Sequence, residues 1–231
     1  MADREDKPAH DGAGHRARLR ERLAINGGQA LHDHELIEYL LALAIPRRDT
    51  KALAKTLLRE FGGIARLMSA DWQAIARVPG MGDTSVAAIK IVQATLLRML
   101  QNEVAAQPVL NSWQALLDYL RADMAFLTIE RVRVLHLNSR NMLIRDDHMA
   151  DGSVDQAAIY VREVLKRAMD LGSAALILVH NHPSGSPEPS KQDIDVTRQI
   201  IDAGKRLGVS VHDHIIIGSQ GHVSLRAKGL L

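Results

Sequence analysis

Two histidines, His180 and His182, stand at the end of an apolar run over residues 174–179, and Asp193 follows behind Ser190. Imidazole nitrogens and a carboxylate oxygen are zinc ligands. Three of them leave a fourth tetrahedral position open to water, which marks a hydrolytic site and not a structural one. The apolar run reads as a strand buried on both faces, the kind found in parallel sheets. Side chains two apart on a strand share a face, so both imidazoles can reach one point. Residues 184–189 hold small residues and prolines, which form a stiff loop turning the chain back over the strand end. Ile194, Val196, Thr197, Ile200, Ile201 and Leu207 then recur at helical spacing and predict a helix over 191–207, with Gly208 as its stop. Ser190 falls at the N-cap and Asp193 in the first turn, where the helix dipole favours the ionised carboxylate. A plainer reading uses the same residues: Ser190 and Asp193 as a capping box, the histidines as satisfied core residues.

The pattern His180-x-His182-Pro183, six residues, Ser190, two residues, Asp193 resembles the signature of the JAMM (MPN-type) metalloproteases, with every position filled. The wider wording, LVHNHPSGSPEPSKQDIDVTRQIIDAGKRLGVSVHDHIIIG, is similar to the bacterial RadC family, and the likeness covers most of the chain. The resemblance implies an α/β domain with a mixed sheet of the cytidine-deaminase-like kind. It also implies one zinc ion per chain on His180, His182 and Asp193, and hydrolysis of peptide or isopeptide bonds in a peptide or protein substrate. Such a site needs a base for the attacking water. Glu130 is the candidate: it opens a strand on which Val132 and Val134 share its face, and the resemblance places the family's upstream catalytic glutamate here. Glu163 is the fallback. The resemblance further implies that Ser190 steadies the oxyanion, which is compatible with its capping a helix.

Elements must bring these residues together. The predicted order is strand 130–137, a turn at 138–141, strand 142–149, helix 157–170, the central strand, helix 191–207, strand 209–217 and a closing strand near 222–225. Strands alternating with helices mean an α/β sheet with its ligands at strand carboxyl ends. His212 and His214 repeat the two-residue spacing on the following strand, but no neighbouring carboxylate completes a set. They read as pocket wall, with His214 able to hydrogen-bond a metal ligand. His212 for an apolar residue, Asn138 for Asp and Tyr160-Val161 for His-Pro depart from the family's usage.

The first part of the chain is different. Residues 1–13 are charged and aperiodic and predict a disordered tail. Residues 14–102 predict an all-α domain with apolar stripes at Leu36, Ile37, Leu40, Leu41 and Leu43, at Leu53, Leu57, Leu58 and Phe61, and at Ile75, Val78, Val86, Ile89, Ile91, Leu96 and Leu97. Gly27-Gly28 and Gly62-Gly63 mark helix ends. IARVPGMGDTSVAAIKIV resembles a helix-hairpin-helix motif, with Val86 where Ala is usual. Its Gly80 and Gly82 would let backbone amides approach a phosphate, giving non-specific DNA contact. LLALAIPRRDTKALAKTLL is a possible first copy lacking the glycines. Residues 103–110 read as a linker, and 111–231 as the metal-hydrolase domain, opened by an amphipathic helix (Trp113, Leu116, Leu117, Leu120) after an Asn111-Ser112 cap.

Composition narrows the chemistry. The chain has 231 residues, 46% hydrophobic but only 3% aromatic, so aliphatic side chains must build the core. With no cysteine there is no disulfide, no thiol nucleophile and no Cys-ligated zinc, which excludes the nucleobase deaminases; HExxH is also absent. A formal charge of +2 argues neither for nor against nucleic acid. The basic clusters Arg16, Arg18, Arg20, Arg22 and Arg47, Arg48, Lys51, Lys55 read as solvated helix faces. No stretch is long and apolar enough for a membrane span, and the expected location is the cytoplasm. Two functions remain: a zinc hydrolase, or a DNA-associated binding module with a structural or vestigial metal site.

Overall fold

The computed structural model describes residues 11–46, 48–152 and 159–231. The chain divides into two compact units, residues 1–93 and 94–231. The first is helical: α1 (Asp11–Asn26), α2 (Asp33–Ala44), α3 (Lys51–Phe61), α4 (Ile64–Ser69), α5 (Trp72–Ala76) and the start of α6 (Asp83–Ala105). Helix α1 begins at Asp11, inside the expected tail; residues 1–10 and Arg47 lie outside the described residues. Ile37, Leu41, Ala54, Leu57, Leu67, Ile75, Val78, Val86 and Ile89 form the core. Leu43, Ile91 and Leu96, expected in the stripes, are exposed, because the apolar stripe on each helix is wider than the face its neighbours cover. Gly62 caps α3 in the left-handed conformation (φ 76°), as the sequence requires. Glu35 in α2 receives Arg22 through two oxygens at 2.8 and 3.0 Å, and that bond holds its carboxyl down at about 2.

Helix α6 continues to Ala105, and residues 109–111 form a 3-10 turn, so the expected linker at 103–110 is largely ordered secondary structure. Ser112 precedes α7 (Trp113–Met124), but its hydroxyl donates back to Pro108 O (3.3 Å) and does not cap the helix.

The second unit is built on a five-stranded sheet in the order β2-β1-β3-β4-β5: β1 (Arg131–Leu137), β2 (Leu143–Asp151), β3 (Ala175–Asn181), β4 (Ser210–Gly218) and β5 (Gly221–Ser224). Only β3 and β4 run parallel, joined through α9 (Lys191–Arg206); the remaining pairs are antiparallel, so the sheet is mixed. Strand β3 lies at its centre and is buried along its whole length, the reason its sequence is an unbroken apolar run. Leu135, Leu137, Ile177, Val179, Ile215 and Ile217 pack against α7 on one face. Val134, Leu176, Leu178 and Val211 pack with Val164, Leu165 and Ala168 of α8 (Val161–Asp170) and Ile200 of α9 on the other. Residues 157–158 of the expected helix 157–170 lie outside the described residues, and α8 starts at Val161. No helix among the described residues is long and apolar enough to cross a membrane.

Among the polar side chains buried in this sheet are Arg133 and His136 of β1. The Arg133 guanidinium donates to Asp123, Asp146 and the Tyr119 hydroxyl, tying β1 to β2 and α7. His136 is fully buried, with Nδ1 2.9 Å from Ser173 Oγ and Nε2 3.8 Å from Asp147 Oδ2. Burial pushes His136 down from 6.5 to about 4 against the pull of Asp147. On unfolding the ring returns to its ordinary value, so between pH 6.5 and 4 the unfolded chain takes up a proton that the native one refuses. This contribution to stability is whole above pH 6.5 and is lost as pH falls, by up to about 1.4 kcal/mol per pH unit. The expected outcome is a thermal midpoint that drops between pH 7 and pH 5, with a shallower drop in His136→Asn. Equal slopes in the two proteins would contradict the assignment.

Candidate metal centre

His180 belongs to β3 and shares the face of Leu176 and Leu178, so it is set among apolar side chains and wholly buried. His182 lies just past the strand. Its N–H donates to Ile217 O of β4 (2.9 Å), which keeps the chain in sheet register for one more step. The following loop folds onto the β4–β5 turn, where Gln220 N–H donates to Gly185 O (3.1 Å). A Cβ at Gly218 would lie 2.3 Å from that carbonyl oxygen, and Gly185 has φ +89°, so the close approach depends on glycine at both places. The loop thereby presents Ser186 O to His182 Nδ1 at 3.0 Å. From the other side α9 begins with a capping box: Asp193 N–H donates to Ser190 Oγ (3.1 Å), and Ser190 N–H donates to Asp193 Oδ2 (2.7 Å). The cap turns the carboxylate back toward the end of β3.

The three expected ligands converge. His180 Nε2 and His182 Nε2 are 3.0 Å apart, His180 Nε2 is 3.4 Å from Asp193 Oδ1, and His182 Nε2 is 3.7 Å from Asp193 Oδ2. One ligand atom from each residue lies within 4.8 Å of the others.

Hydrogen bonds determine which nitrogens are bare. A carbonyl only accepts, so His182 Nδ1 carries the proton given to Ser186 O, and its Nε2 faces the site. The proton position on His180 is set through two residues, Thr197 and His214. The Thr197 hydroxyl has one proton and donates it to Asp193 O; the His214 Nδ1–H must therefore donate to Thr197 Oγ1 (2.6 Å). His214 Nε2 then accepts, and the donor is His180 Nδ1–H at 2.8 Å. His180 Nε2 is left with its lone pair in the site. Burial keeps both rings neutral: it pushes His214 well below its ordinary value and His180 down to about 4 despite the nearby Asp193. Burial opposes the charge on Asp193 too, but the adjoining His182 and His180 rings and the hydrogen bonds from Ser190 outweigh it and hold the carboxyl well below the usual range.

Two neutral imidazoles aiming lone pairs at each other over 3.0 Å repel unless a cation stands between them. A proton on His182 serves in part, since the Asp193 carboxylate 3.7 Å away raises it above the ordinary value. A divalent metal fits the same place with a fuller donor set: two imidazoles and one carboxylate, neutralised to a net single charge.

Among the remaining expected residues, Glu130 precedes β1, is half-buried, and is close enough that its charge helps raise His182. Glu163 is exposed and pairs with Arg162 at 3.2 Å. The Ser190 hydroxyl donates to Asp193 Oδ2 (2.7 Å), so its one proton holds that carboxylate instead of standing ready for an oxyanion. His214 backs His180, whereas His212 turns to Asn141 Oδ1 (2.7 Å). Thr197 carries a role the sequence reading missed; its place one turn after Asp193, on the same helix face, was the available signal. In the helical unit Gly80 has φ +97°, and the Gly82 N–H donates to Ser85 Oγ (2.9 Å).

Residues 110–230 match the family model of the RadC-like JAB domain, and residues 13–87 match UPF0758 N-terminal. The chain belongs to the RadC-like JAB family. A UPF0758 protein of Ruegeria pomeroyi is 46% identical to it over 217 residues, covering 94% of this chain and 97% of the relative. JAB domains are generally hydrolytic and commonly bind zinc, which fits the donor set above.

The chain from Asp193 O through Thr197 and His214 predicts an effect on metal binding without any change of ligand. Thr197→Val removes the hydroxyl at constant volume, and zinc affinity measured by competition with a chelating dye is expected to fall about 10–100-fold. An unchanged affinity would contradict the assigned proton positions.

Proposed function

We propose that this RadC-like JAB protein is a zinc-dependent hydrolase of amide bonds, acting on a peptide or isopeptide linkage in a peptide or protein substrate. The observation that carries the reading is the convergence of His180 Nε2, His182 Nε2 and the Asp193 carboxylate at the end of the central strand, both nitrogens bare. His180, His182 and Asp193 would hold the ion, and when bound it supplies a Lewis acid for a water and a carbonyl oxygen. Glu130, whose charge reaches His182, takes the proton from the attacking water and returns it to the departing amine. His214 and Thr197 keep His180 in the ligating tautomer, and Ser186 O does the same for His182. Ser190 orients Asp193; to donate to an oxyanion its proton would have to leave Asp193 Oδ2. The alternative, DNA contact through Gly80 and Gly82, has less to rest on, because the Gly82 amide is engaged by Ser85 Oγ.

The zinc-loaded chain is expected to cleave members of a library of peptide and isopeptide substrates. Glu130→Gln is expected to keep its zinc and lose about 10²–10⁴ in turnover. Equal turnover in wild type and Glu130→Gln would overturn the reading.

A further inference from the structure

Between the two histidine ligands lies Asn181, a polar side chain only 1% exposed that makes no hydrogen bond to either of them. Its partners are in the neighbouring chain segment. The backbone ladder between β1 and β3 ends at the pair Val132–His180. One step further, the Asn181 carboxamide takes over the pairing: Oδ1 accepts the Arg131 N–H at 2.9 Å, and Nδ2 donates to Ile129 O at 3.0 Å. A carboxamide carries an acceptor and a donor in one plane, as a peptide unit does, so it can stand in for one rung of a sheet. The two backbone groups it holds flank Glu130. On the opposite side the Glu130 carbonyl accepts the Gly152 N–H at 2.8 Å. Glu130 thus lies outside β1 proper, yet its backbone is fixed from both neighbouring strands.

We propose that Asn181 is a positioning residue for Glu130. It couples the segment bearing the base to the strand bearing the ligands, so that base and metal site move as one body. The inference rests on the reading of Glu130 as the base. Strand ends fray when their ladder stops, and displacing a reacting group by about 1 Å can cost about 10²-fold in rate. Occupying the position between two ligands with a side chain that grips the base-bearing segment removes that freedom. A carboxamide does so without placing a further charge beside the metal ligands.

Two measurements on the full, zinc-loaded chain test this. The first is residue-resolved amide exchange in wild type, Asn181→Ala and Asn181→Asp. Arg131 is expected to exchange at least about 10-fold faster in Asn181→Ala, while Val134 and Leu135 keep their protection. Asn181→Asp, which retains the acceptor for Arg131 but has no donor for Ile129 O, is expected to lie between. Unchanged exchange at Arg131 in both variants, or exchange rising along all of β1, would overturn the proposal. The second is turnover, with Glu130→Gln alongside. Asn181→Ala is expected to bind zinc as wild type does and to lose about 10–100-fold in kcat with KM little changed. Wild-type kcat in Asn181→Ala, where Glu130→Gln is inactive, would overturn the positioning role and leave the hydrolase reading intact. Equal turnover in wild type and Glu130→Gln would instead remove Glu130 as base, and the purpose of the clip with it.

Discussion

The site depends on a buried line of hydrogen bonds that begins at a backbone carbonyl, Asp193 O, and ends at His180 Nδ1, which leaves His180 Nε2 bare toward His182 and Asp193. Each link has one allowed direction. The carbonyl accepts, so Thr197 donates; Thr197 has no second proton, so His214 donates to it and accepts from His180. Burial keeps both rings neutral; a second proton would otherwise cap His180 Nε2, or set His214 Nε2–H against His180 Nδ1–H and break that link. The apolar packing of β3, β4 and α9 is therefore part of the chemistry: it keeps water away from rings whose tautomer the site requires.

The same packing explains how residues distant in sequence come to one point. Strand β3 delivers the histidines at its carboxyl end, and the parallel crossover through α9 returns the next helix N-terminus to that end. There the capping box does two jobs with one pair of side chains. It satisfies the first amides of α9, and it points a carboxylate at the imidazoles. The capping reading of Ser190 and Asp193 holds, and it does not compete with the proposed metal site, because the cap is what turns the carboxylate toward the imidazoles.

Much of this was legible in the sequence. His180, His182 and Asp193 could be placed together because strand and helix periodicity fix which residues share a face, and the central strand declared itself by an unbroken apolar run. The order of elements in the α/β unit followed from alternating strand and helix signals, and the mixed sheet was what the family resemblance implied. His214 was foreseen as a hydrogen-bond partner for an expected ligand, and it bonds His180. Thr197 stayed hidden although its place one turn after Asp193 was a signal, and Asn181 stood only as the residue between the two histidines, because neither partner lies near in sequence. The helical unit was read less well at its edges: Leu43, Ile91 and Leu96 have the periodicity of core residues but are exposed, and α6 runs on past the point where polar composition suggested a linker. Periodicity tells that a face is apolar; it does not tell what covers it.

The most direct test of the central claim is X-ray absorption at the zinc edge of the metal-loaded chain, read beside His182→Ala. The account predicts about four nitrogen and oxygen neighbours with the scattering pattern of two imidazoles, falling to one in the variant. Three imidazoles in the wild type, or a pattern unchanged by His182→Ala, would contradict it.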